Sequence, residues 1–119
     1  APPNPSHVSH SIINFQNDYR DDTAHIEVPS TTIDLLLQKL KVEALSLLKL
    51  DIEGAEVEVL QDMMKKRIYP RQILVEYDEL NSGSVKSKER IEAAHSSLIE
   101  HGYSLVNFDS PSNCLYIRG

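Results

Sequence analysis

Two acidic sets carry most of the chemistry this chain could do. Asp51 and Glu53 lie in Lys49-Leu50-Asp51-Ile52-Glu53-Gly54-Ala55-Glu56, and Glu76, Asp78 and Glu79 follow Ile73-Leu74-Val75. Carboxylates gathered at one place can attract a cationic cofactor, take a proton from a hydroxyl or amine nucleophile, or bind a hard cation through oxygen. The residue types leave that choice open. Other chemistries lack their parts. Gly54, Gly83, Gly102 and Gly119 stand too far apart for a phosphate-cradling loop, and no serine sits in a nucleophile elbow. His7 and His10 have a spacing that could share a metal, but no third ligand clusters with them, so a surface or packing role is expected. Cys114, between Asn113 and Leu115, reads as a small core residue.

The elements that must position these acids follow from periodicity. Leu47, Leu48 and Leu50 make a short apolar run, and Gln72 to Glu76 makes another. Each ends in acids, as a buried parallel strand does when it delivers polar groups to the carboxyl edge of a sheet. Lys49 interrupts the first run and must find a carboxylate, for which Glu76 is the candidate, or lie near the strand end. Between the runs, from Gly54 or Ala55 to about Arg67, Val59, Leu60, Met63 and Met64 form a helical stripe. Its acidic start at Glu53, Glu56 and Glu58 and basic end at Lys65, Lys66 and Arg67 suit the helix dipole.

An earlier helix is expected from Ile33, Leu36, Leu37 and Leu40, ending near Lys41, with Thr31 and Asp34 spaced as a capping box. A later one ends near His101, with Ile91, Ala94, Leu98 and Ile99 inward and Gly102 as its stop. Tyr103 to Phe108 and Cys114 to Ile117 read as two strands joined by a short loop, hence an antiparallel hairpin. Ile26-Glu27-Val28 is at most a short edge strand before Pro29. Residues 1–25 carry three prolines and a polar run, and read as an irregular arm ahead of a domain over 26–119. Strands separated by helices give an α/β fold with parallel strands, closed by the hairpin.

Composition narrows the partners. A formal charge of −6 over 119 residues argues against a nucleic-acid surface, which needs clustered Lys and Arg. No apolar run reaches the length of a membrane span, and no charged-then-apolar leader precedes the domain. With one cysteine no intrachain disulfide can form, which favours a reducing, cytoplasmic location. The chain starts at Ala1-Pro2-Pro3-Asn4-Pro5 without Met and is expected to be part of something longer.

Lys49-Leu50-Asp51-Ile52-Glu53-Gly54-Ala55-Glu56, running on to Leu60, resembles the signature of the FkbM-type S-adenosylmethionine-dependent methyltransferases. Ile73-Leu74-Val75-Glu76, His101-Gly102-Tyr103, and Ile26-Glu27-Val28-Pro29 with Thr32-Ile33-Asp34 are similar to further parts of that family. The resemblance spans roughly residues 26–118. It implies the Rossmann-like class I methyltransferase fold, a mostly parallel sheet with helices on both faces. It also implies methyl transfer from S-adenosylmethionine to an oxygen of a sugar, polyketide or similar small acceptor. Asp51, Glu53 and Glu76 would then be the catalytic candidates, Asp51 first, and Asp51 and Glu53 would lie beside the cofactor.

The family's glycine-rich turn and ribose-holding acid have no counterpart here. The chain therefore looks like the C-terminal half of such a domain, inactive alone and prone to self-associate through the exposed edge of its first strand. Two other readings stand beside this one: a non-catalytic methyltransferase-like binding or scaffolding module, and a metal-dependent variant using Asp51, Glu53 and Asp78.

Overall fold

The structure is a computed structural model that describes residues 28–77, 84–110 and 112–119, with side chains left undescribed at 107–110. The elements run α1 (Ile33–Leu40), β1 (Leu47–Leu50), α2 (Glu56–Lys65), β2 (Gln72–Glu76), α3 (Val85–Glu100), β3 (Tyr103–Ser110) and β4 (Asn113–Arg118). This is the expected order of helices and strands. The strands form one sheet in the order β1-β2-β4-β3. β1 and β2 are parallel, with Leu50 beside Val75. β4 is antiparallel to both β2 and β3, so the hairpin folds back and its second strand, not its first, joins the sheet centre.

Alternation sorts the sheet into two faces. Leu50, Ile73, Val75, Tyr77, Cys114 and Tyr116 face the helices, and pack with Val57, Leu60, Met63 and Met64 of α2 and Ile91, Ala94 and Leu98 of α3 in one core. Both methionines and Cys114 are thus core residues, and burial pushes the Cys114 thiol up. The opposite face carries Leu47, Lys49, Gln72, Leu74, Glu76, Leu115 and Ile117, none of them fully buried. Among the described residues β1 pairs with β2 only and forms an edge, with Leu47 53% exposed.

Three buried tyrosines place their hydroxyls in hydrogen bonds, as an apolar core requires. Tyr103 donates to the Pro70 carbonyl. Burial pushes its pKa up to about 12. The Tyr77 and Tyr116 hydroxyls lie 3.1 Å apart, and Tyr116 also meets His95 Nδ1 at 3.3 Å. Burial pushes both phenols far above their ordinary range.

The helix ends depart from the sequence reading in instructive ways. Thr32 is the N-cap of α1 but makes no side-chain cap; its hydroxyl donates to the Asp34 carboxylate instead. Half of the expected stripe of α1 is open, with Leu36 and Leu40 exposed and Ile33 and Leu37 partly buried, because this helix packs mainly on α2. Ile99 of α3 is likewise exposed. Lys41 follows α1 and Arg67 follows the Lys66 cap of α2, both left-handed at φ 55° and φ 57°. Around Arg67 the N–H of Ile68 reaches Met63 O at 2.9 Å and that of Arg67 reaches Met64 O at 3.2 Å, a Schellman closure built without glycine. Of Ile26-Glu27-Val28 only Val28 is described, and it belongs to no strand.

Candidate active site

β1 and β2 are parallel neighbours in register, so the residues that follow Leu50 and Val75 leave the sheet side by side. Asp51 and Glu76 are those residues. Adjacent backbones in a sheet run about 4.8 Å apart, which brings the two carboxylates to one stretch of the carboxyl edge. Both lie on the face turned away from α2 and α3: Glu76 alternates with the buried Val75 and Tyr77, and Asp51 shares its side with Lys49. Ligands bind at this edge of open α/β sheets because loops and helix N-termini converge there.

Lys49 corrects one expectation. Its ammonium lies 3.7 Å from Asp51 Oδ2, not beside Glu76, and the two side chains are 60% and 41% exposed. The physical reason is that β1 is the sheet edge and the outer face there is open, so the lysine needs no buried partner. A pair this exposed holds Asp51 only weakly and leaves it accessible.

Past Asp51 the chain turns sharply. Glu53 takes φ 57° and Gly54 φ 110°, consecutive positive values that a side chain disfavours at the first position and that glycine accepts at the second. A carboxylate directs the turn. Glu56 Oε1 accepts the Ile52 N–H at 2.8 Å, and its two oxygens accept the Gly54 N–H at 3.3 and 3.1 Å. Glu56 is 0% exposed, whereas Glu58 in the same helical turn is open and pairs with Arg90 of α3.

Sequence reasoning gave Glu56 only a helix-dipole role. The signal it passed over is Gly54: a turn there leaves the Ile52 and Gly54 N–H groups outside both strand and helix, so an acceptor for them had to come from a nearby side chain.

Asp78 and Glu79 lie outside the described residues, as do His7 and His10. Among the described residues no three His, Cys, Asp or Glu side chains gather as a metal site. Among them, too, no helix is long and apolar enough to cross a membrane. A separate open groove of about 290 Å³ lies between α1 and α2, lined by Thr31, Thr32, Ile33, Leu36, Glu58, Val59 and Asp62, and contains none of the edge acids.

Carboxylates at such an edge can attract a cation, hold a hydroxyl or accept its proton. No curated protein and no solved structure matches the chain. A family model, the methyltransferase FkbM domain, matches residues 1–105, which takes in residues 1–25 as well as both strands that carry the acids. The match covers most of the sequence, and the chain belongs to the FkbM methyltransferase family.

Proposed function

We propose that this chain forms the C-terminal half of a Rossmann-like methyltransferase domain that methylates an oxygen of a small acceptor, such as a sugar or polyketide, from S-adenosylmethionine. The observation that carries the reading is the family match over a region whose acids, Asp51 and Glu76, register onto one sheet edge. The donor set fits the cofactor's charge: carboxylates at an open edge, with Lys49 paired only loosely to Asp51, suit a sulfonium. When bound, S-adenosylmethionine supplies an electrophilic methyl group on positively charged sulfur.

The residues of this chain would orient and deprotonate the acceptor. Glu76 would hold the acceptor hydroxyl, and Asp51 would accept its proton as that oxygen becomes the nucleophile. Alignment supplies most of the acceleration in such an in-line displacement, so the rigidity of the strand ends matters as much as the base. Glu53 adds negative potential beside the reacting centre. The glycine-rich turn and the ribose-holding acid of the cofactor site come from outside these 119 residues in this reading. The open β1 edge is then where further strands of the sheet, or in their absence a second copy of the chain, would add.

The test is transfer of labelled methyl by the full-length gene product across hydroxylated acceptors, for wild type, Asp51→Asn and the control Asp62→Asn. Wild type and the control are expected to turn over, and Asp51→Asn to fall by about a hundredfold, the scale of one acid–base group. A folded wild type that transfers to no acceptor would favour the scaffolding module. Full activity in Asp51→Asn would remove that residue from the reaction.

A further inference from the structure

Among the described residues Glu56 is the one buried carboxylate, and burying a carboxylate is unfavourable unless it is hydrogen-bonded. Its bonds include some that a helix cap would not make. A cap serves the N–H groups of the first helical turn, whereas Glu56 reaches back to Ile52 and Gly54, ahead of α2. The helix dipole does not require the burial either, since Glu58 stands in the same first turn and is exposed. What the carboxylate fixes is the path of the chain between Asp51 and Gly54, where Glu53 is held at φ 57°.

We propose that Glu56 is a positioning residue for the acidic edge: its buried carboxylate clamps the Ile52–Gly54 turn and so sets where Asp51 and Glu53 stand at the end of β1. This rests on the reading of that edge as the reacting site. A carboxylate suits the task better than an amide. Both Glu56 oxygens accept, whereas glutamine would turn an NH₂ donor toward one of the two N–H groups. Aspartate keeps both acceptors but lacks one methylene of reach.

Amide hydrogen exchange and carboxyl carbon spectra of the 119-residue chain test the clamp without requiring catalysis. In Glu56→Gln the Ile52 and Gly54 amides are expected to exchange at least about tenfold faster, with Leu74 and Tyr116 in the sheet unchanged. The carboxyl signals of Asp51 and Glu53 should move while that of Asp34, on α1, stays. Unchanged protection at Ile52 and Gly54 would overturn the proposal. So would equal loss at Leu74 and Tyr116, which would make Glu56 a general core anchor.

If Glu56→Gln fails to fold, Glu56→Asp carries the same comparison, with faster exchange confined to the turn expected and an unchanged turn overturning the clamp. In the full-length gene product, the variant should lower kcat about tenfold with the cofactor KM within about twofold. A rise in KM alone would contradict a positioning role. A clamp shown by exchange in a wild-type protein without methyl transfer would leave Glu56 fixing the turn and refute the enzymatic reading instead.

Discussion

Replacing Tyr116 by Phe should destabilise the protein more than replacing Tyr77 by Phe, although both changes delete one hydroxyl from the same hydrogen bond. The two oxygens lie 3.1 Å apart in the core, with both tyrosines almost wholly buried. Tyr116 also meets His95 Nδ1 at 3.3 Å. In Tyr77→Phe the Tyr116 hydroxyl therefore keeps that second partner, and the loss is that of an ordinary hydrogen bond, about 0.5–1 kcal/mol. In Tyr116→Phe the buried Tyr77 hydroxyl loses this bond, and His95 loses its ring-nitrogen contact as well. A stranded hydroxyl costs about 1–3 kcal/mol.

Equilibrium urea unfolding resolves the difference. A change of about 2 kcal/mol against a slope of about 1.5 kcal/mol/M moves the midpoint by about 1 M. The double variant should lose less than the sum of the singles, because removing both hydroxyls leaves neither stranded. Equal losses, a larger loss in Tyr77→Phe, or strict additivity would refute the reasoning.

Three further outcomes follow from a helix end, a surface pair and a buried thiol. Arg67→Gly should stabilise the protein by about 0.5–1 kcal/mol in the same unfolding assay, since glycine adopts the positive φ at this Schellman position without strain. The Lys66 ammonium, 2.8 Å away, and the Thr32 hydroxyl hold the Asp34 carboxyl at about 2, below its ordinary 3.8. Its contribution to stability is thus complete above pH 3.8 and is lost as the pH falls toward about 2, and Asp34→Asn should flatten the acid limb of the stability profile in that window. Cys114, with its thiol pushed up by burial, should react with an alkylating reagent only on unfolding, which a denaturant-dependent labelling curve measures.

Much of the fold was legible because its signals are local. Leu47 to Leu50 and Gln72 to Glu76 alternate against a common core, and Leu60, Met63 and Met64 repeat at helical spacing, so strand, helix and strand declare themselves. The acids at the strand ends were legible for the same reason, and parallel pairing brings Asp51 and Glu76 together.

What escaped depends on tertiary placement. Lys49 was expected to pair with Glu76 or lie near the strand end; it lies one residue from that end, and the open outer face lets it meet Asp51 instead. Leu36 and Leu40 carry a helical pattern that the packing of α1 leaves exposed. Lys41 and Arg67 stop their helices in left-handed conformations that carry no glycine to announce them. The hairpin could be read from its short loop, but not that β4 would take the place next to β2. Glu56 looks like any acid at a helix start until the turn before it is seen to fold back onto its carboxylate.

The most direct test of the acidic edge is where the product of the cofactor binds. S-adenosylhomocysteine titrated into isotope-labelled full-length gene product should shift the amides of Asp51, Ile52, Glu53 and Gly54 together with Glu76, and leave the α1–α2 groove around Leu36 and Asp62 unmoved. Shifts confined to that groove, with Asp51 and Glu76 unchanged at saturation, would contradict the assignment of the reacting site to this edge of the sheet.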